Sequence, residues 1–98
     1  MDKPCISIIL PTFNRADTIN NAIDSILNQT FTSLEIIIID DASTDNTCQI
    51  VQEYQTKESR ITYVKNKENY GCAQSRNIGL KYAQAETVAF MDDDDQYT

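Results

Sequence analysis

Apolar runs and amphipathic stretches alternate along the chain. Ile6-Ser7-Ile8-Ile9-Leu10 is rich in β-branched residues and is closed by Pro11, which predicts a buried strand. Asp17 is placed to cap a helix whose apolar positions Ile19, Ile23, Ile26 and Leu27 fall at helical spacing, ending near Asn28-Gln29. Leu34 to Ile39 is the strongest strand, a nearly continuous apolar run of the kind that suits a central parallel strand covered on both faces. It stops at Asp40-Asp41. Ala42-Ser43-Thr44-Asp45 is turn and cap chemistry, with Ser43 or Thr44 as N-cap and Asp45 in the first turn. Ile50, Val51 and Tyr54 continue as one apolar helical face. Ile61 to Val64 predicts a short third strand, Asn66 to Gly71 a polar loop, and Cys72 to Ala85 a helix with Ala73, Leu80 and Ala83 turned inward. Gly79 weakens that helix by about 1 kcal/mol relative to alanine. Thr87 to Met91 is a fourth strand, followed at once by Asp92-Asp93-Asp94-Asp95.

The order β-α-β-α-β-α-β, with no hairpin signals between strands, predicts an α/β fold: three α/β/α layers around a mainly parallel, Rossmann-like sheet with right-handed crossovers. In open parallel sheets ligands bind outside the carboxyl ends of the strands. This rule selects three polar clusters on one edge: Pro11 to Arg15 after the first strand, Asp40 to Asp45 after the second, and Asp92 to Asp95 after the fourth.

Composition narrows the chemistry. Ninety-eight residues give room for one domain, residues 1–98, and a hydrophobic share of 41% is enough for its core. The formal net charge is -7, and without a basic cluster the chain is a poor candidate for contacting nucleic acid. An anionic ligand could still be held through a divalent cation. The three cysteines form no CxxC pair and the chain has no histidine, which argues against a structural zinc site; Cys5, Cys48 and Cys72 read as buried or half-buried small apolar residues in a reducing compartment. The apolar stretch at Ile6 to Leu10 is too short for a signal peptide or a membrane span, which predicts a cytoplasmic chain unless a part outside it provides an anchor.

Adjacent carboxylates repel, and a strand end that gathers several of them suits a hard cation with oxygen ligands, Mg²⁺ or Mn²⁺. The bland alternative is a solvated acidic tail; against it, the run follows directly on the apolar Val88-Ala89-Phe90-Met91. Asp40 and Asp41 can accept hydrogen bonds from a nucleoside or cap the helix that follows, and both can hold at once. Pro11-Thr12-Phe13-Asn14-Arg15 contains no glycine, so neither a dinucleotide fingerprint nor a Walker loop is present. Arg76 taken alone reads as a surface salt-bridge partner. Phe13 is equally suited to stacking on a base and to filling the core.

Four stretches together resemble the family 2 glycosyltransferases, with the GT-A fold: Ser7-Ile-Ile-Leu-Pro-Thr-Phe-Asn14, Ser25-Ile-Leu-Asn-Gln-Thr-Phe31, Ile39-Asp-Asp-Ala-Ser-Thr-Asp45, and Gly71-Cys-Ala-Gln-Ser-Arg-Asn-Ile-Gly-Leu80 leading into Phe90-Met-Asp-Asp-Asp-Asp95. Each is weak alone; the four in this order are specific. The resemblance implies nucleotide binding by Pro11, Thr12, Phe13 and Asn14, with Phe13 against the base and Asp41 on the uracil or ribose. It places Arg76 near the base or phosphates. The DxD motif matches Asp92-x-Asp94, with Asp94 as the direct ligand of a metal bridging the diphosphate, Asp92 toward the ribose and a second metal ligand, and Asp93 beside the nucleotide. Ala85 stands where many relatives carry glycine.

The implied reaction belongs to polysaccharide biosynthesis: an inverting transfer from a nucleotide-sugar, a UDP-sugar, to the hydroxyl of a saccharide or lipid-linked acceptor, in a protein associated with the inner face of the membrane. The family's general base lies well past the DxD motif and is expected beyond Thr98. No catalytic residue is therefore expected within residues 1–98, which should hold the donor without turning it over. Two rivals stand beside this reading, a nucleotidyltransferase and a non-catalytic nucleotide-binding module. A sheet that stops after its fourth strand exposes an edge, which predicts a homodimer or marginal stability.

Overall fold

The strand that reads as strongest is also the best buried. The computed structural model describes residues 4–28 and 33–91. In it β1 (Ile6–Thr12), α1 (Ile19–Leu27), β2 (Leu34–Asp40), α2 (Thr47–Lys57), β3 (Ile61–Lys65), α3 (Cys72–Tyr82) and β4 (Thr87–Phe90) follow one another. Every residue of β2 is buried. The strands pair in the order β3-β2-β1-β4, all parallel, with Ile6 beside Leu34 on one side and beside Thr87 on the other.

Alternation along the strands divides the core into two layers. Ile8, Leu10, Ile36 and Ile38 pack with Ile19, Ala22, Ile23 and Ile26 of α1 and with Val51 of α2. Ile9, Ile37 and Ile39 face the other way, against Ile78 and Ala83. Helices α1 and α2 therefore share one face of the sheet and α3 covers the other, giving the expected three layers. The connection through α3 carries the chain back past β2 to the far side of β1. This reversal puts the topological switch point between β1 and β4, where crevices open in folds of this class.

Several element ends differ from the sequence reading, each for a physical reason. Strand β1 runs on through Pro11 to Thr12, because its pairing with β2 continues through Pro11–Ile39 and Thr12–Asp40, past Ile9 where the described pairing with β4 ends. Thr18, rather than Asp17, precedes α1, without a side-chain cap. Helix α2 begins at Thr47, later than Ser43 or Thr44 would have it, and Asp45 serves its start from outside the first turn: its carboxylate accepts the Thr47 N–H at 3.0 Å and the Thr47 hydroxyl.

Helix α3 ends at Tyr82 rather than Ala85. A buried Ser7–Glu35 pair intercepts the next amides: the Gln84 N–H donates to Glu35 Oε2 at 2.7 Å and the Ala85 N–H to Ser7 Oγ at 3.0 Å. Ala73 and Leu80 are exposed, Leu80 at 44%; Ser75 and Gly79 hold the inward positions instead. The reading of that helical face fails because its buried stripe carries small residues, which let α3 lie close on β1 and β2. Cys5 and Cys72 are exposed free thiols rather than buried ones, and only Cys48 is half-buried. Among the described residues no helix is long and apolar enough to cross a membrane.

Candidate functional site

The loops after β1 and β2 are stitched together at the carboxyl edge of the sheet. The Asp41 N–H extends the ladder to the Thr12 carbonyl at 2.8 Å. The Asn14 N–H donates to Ser43 Oγ at 2.8 Å, and the Thr44 N–H donates to Asn14 Oδ1 at 2.8 Å. Farther out, the Ala16 N–H donates to Asp45 Oδ2 at 3.1 Å. Ser43 and Thr44, read from sequence as helix caps, thus serve the neighbouring loop. Asn14 and Ala42 both adopt left-handed backbone, at φ 51° and 66°. Asparagine tolerates that region, whereas for alanine it costs roughly 1–2 kcal/mol. Strain of this kind persists where surrounding bonds over-determine it, and it concentrates at binding sites.

Pro11 and Thr12 are buried and form the floor of this edge. Phe13 is 44% exposed at its rim, so it does not fill the core. Asn14 is exposed beside it, its backbone and side chain held by β2's loop.

Asp40 and Asp41 divide the labour that the sequence leaves joint. Asp40 is fully buried; its carboxylate accepts the Ser43 N–H at 2.8 Å and the Tyr63 hydroxyl. Burial, and then the Asp40 carboxylate, push the Tyr63 hydroxyl far above its ordinary range, so it stays a donor at any working pH. Asp41, 5% exposed, reaches sideways instead. Its Oδ1 accepts the Asn66 amide at 2.9 Å and the Tyr70 N–H at 2.7 Å, while Oδ2 accepts the Gly71 N–H at 2.8 Å. Burial opposes ionisation of this group, but the Tyr70, Asn66, Gly71 and Ser75 hydrogen bonds outweigh it and hold the carboxyl below its usual range. Asp41 is therefore an anion that fastens β2 to the loop leading into α3.

Asn66 reads from sequence as no more than loop. Its N–H donates to the Asp40 carbonyl at 2.8 Å and its side chain to Asp41 and, at 3.2 Å, to Ser75 Oγ. The available signal is positional: a polar residue directly after β3 lies at the same carboxyl edge as the other clusters.

Across the switch point, Gly71 takes φ 92° before α3 begins, a region only glycine enters freely. One turn later the Arg76 guanidinium carbon lies 5.6 Å over the Phe90 ring centroid. The Met91 N–H donates to the Ile9 carbonyl at 3.0 Å, so β4 reaches its end beside β1 on the same edge. Asp92, Asp93 and Asp94, the expected nucleotide and metal residues, follow Met91 in sequence and lie outside the described residues. So does Thr98, beyond which the general base is expected. Among the described residues no group of three metal-ligating side chains gathers. The structure thus brings Pro11 to Asn14, Asp41 and Arg76 to one edge.

The family model for glycosyl transferase family 2 matches residues 7–98. Over 95 residues the chain is 47% identical to the GalNAc(5)-diNAcBac-PP-undecaprenol beta-1,3-glucosyltransferase of Campylobacter jejuni, covering 95% of this chain and 30% of that protein. It is 43% identical to the putative teichuronic acid biosynthesis glycosyltransferase TuaG of Bacillus subtilis, covering 97% of this chain and 38% of that one. The chain therefore spans roughly a third of these relatives' length. Among solved structures it superposes on the mannosyltransferase PcManGT from Pyrobaculum calidifontis, in complex with GDP-Man and Mn²⁺, with a TM-score of 0.90 at 31% identity, over 98% of this chain and 29% of that one. With S. aureus TarS 1–349 in complex with UDP the TM-score is 0.86 at 36% identity, over 93% and 28%.

Proposed function

The chain belongs to glycosyl transferase family 2, and from that membership we propose that it is the donor-binding part of an inverting, metal-dependent glycosyltransferase that takes a UDP-sugar. The observation that carries the reading is the convergence of Phe13, Asn14, Asp41 and Arg76 on one strand edge, next to the strand that leads into Asp92 to Asp95. Phe13 offers an exposed ring for a base, Asp41 a fixed acceptor for a base or ribose donor, and Arg76 a cation for the diphosphate. The relatives and solved neighbours named for UDP, GDP-Man and undecaprenol-linked substrates support the substrate class, with a saccharide or lipid-linked hydroxyl as acceptor.

The donor set after β4 consists of carboxylate oxygens alone in a chain without histidine, and it fits Mn²⁺ or Mg²⁺, held by Asp94 with Asp92. When bound, such a cation supplies Lewis-acid neutralisation of the departing diphosphate. The protein's own contribution on this side is to fix the nucleoside and leave the anomeric carbon open to an in-line acceptor hydroxyl. In our reading the base that deprotonates this hydroxyl comes from residues beyond Thr98.

Calorimetric titration with UDP, with and without Mn²⁺, tests this. Binding should require the metal, and Asp94→Ala should weaken it by at least roughly tenfold, since even outer-shell changes at metal sites cost about 10–100-fold in metal affinity. Tighter binding of a nucleoside triphosphate than of UDP would favour a nucleotidyltransferase and sink the reading. The purified 98-residue chain should show no sustained sugar transfer to a saccharide acceptor. Turnover in that assay would overturn the division of labour.

A further inference from the structure

Phe90 is poorly explained as a core residue. Val88, two residues earlier on the same face of β4, packs against the Ile9, Ile37 and Ile39 layer, but Phe90 is 47% exposed. Helix α3 packs mainly on β1 and β2 rather than on β4. What the ring does meet is Arg76, whose guanidinium carbon lies 5.6 Å over its centroid.

We propose that Phe90 is a positioning residue for Arg76, seating the guanidinium on its ring face so that the charge is presented to a nucleoside diphosphate at the carboxyl edge of β4. This rests on the donor-site reading above. An arginine side chain is long and rotamer-rich, and a planar cation on an aromatic face loses much of that freedom before any ligand arrives. Guanidinium N–H groups lie in the plane of the cation, so stacking through the face does not block their approach to phosphate oxygens.

The ring's role is electrostatic and planar, so it separates from mere apolar filling. Titrations of the 98-residue chain with UDP in the presence of Mn²⁺ would compare wild type, Phe90→Leu, Phe90→Tyr, Arg76→Ala and the Phe90→Leu/Arg76→Ala pair. Leucine in place of Phe90 should raise the Kd roughly two- to five-fold, the range of a partly exposed cation–π contact, and tyrosine should restore most of it. In the Arg76→Ala background Phe90→Leu should add nothing. A wild-type chain that fails to bind UDP removes the donor-site reading and this inference together. If wild type binds and Arg76→Ala weakens binding, yet Phe90→Leu matches wild type or costs as much again on top of Arg76→Ala, the inference alone falls.

Discussion

An Asp41→Ala chain should lose about 2–4 kcal/mol of stability near pH 7, together with most of its affinity for UDP. The carboxylate accepts the Asn66 side-chain amide and the Tyr70 and Gly71 backbone N–H groups, with the Ser75 hydroxyl as a further partner, and the Asn66 amide is buried. A buried donor left without an acceptor costs about 1–3 kcal/mol, while the Tyr70 and Gly71 amides, nearer the surface, recover part of their loss from water. Asp41→Asn is the sharper variant. It keeps the shape but turns an NH₂ group toward donors, so it should be nearly as damaging as alanine. The pH dependence follows from the lowered pKa. A depressed folded-state value contributes stability that is present above the unfolded value and is lost as pH falls through the folded one. Urea titrations should therefore show the gap between wild type and Asp41→Ala closing as pH is brought from near 7 to below about 3. An unchanged gap would mean that the carboxylate's charge is not what holds the loop.

Gly79→Ala should destabilise the chain by about 1–3 kcal/mol, although on helix propensity alone it ought to stabilise it by about 1 kcal/mol. A Cβ at this position would stand 2.6 Å from Ile9 Cγ2 and 3.3 Å from Ile9 Cγ1. Ile9 is fully buried in a central strand, and its branched side chain has little rotamer freedom with which to move away. For a domain of this size the melting temperature should fall by roughly 4–8 °C per kcal/mol. Pairing the change with Ile9→Ala provides the control. Ile9→Ala alone opens a cavity costing about 2–5 kcal/mol, and the methyl group added by Gly79→Ala fills part of it, so the double variant should be more stable than the summed single losses by about 1 kcal/mol or more. Simple additivity would show that the close approach of α3 to β1 is not the reason for the glycine.

Asp41 and Gly79 also mark where sequence reading succeeds and stops. The strands are legible because each is a short apolar run bounded by polar punctuation, and the shared edge follows from parallel order alone. Phe13, Asp41 and Arg76 are singled out as candidates by that edge together with the family resemblance. What stays hidden depends on distance in three dimensions. Gly79 looks like a flaw in a helix until Ile9 is seen beneath it. The inward face of α3 is misread because small residues, Ser75 and Gly79, occupy it while Leu80 faces out. Helix ends shift wherever a side chain remote in sequence captures a backbone amide, as Glu35 does at Gln84. Asn66 has no local pattern at all; its importance comes from meeting Asp41 and Ser75 at once.

The parallel pairing of β1 with β4 has a consequence for how the molecule forms. Strand β2 can find β1 early, with a short helical excursion between them, but Thr87 must find Ile6 across almost the whole chain. Contacts of such high sequence separation are entropically costly to close and tend to come late. During synthesis the first three strands can collapse on their helices while β4 is still emerging from the ribosome. The crevice between β1 and β4 then forms after β1, β2 and β3 have paired, and a nascent chain cannot have it until β4 has been made.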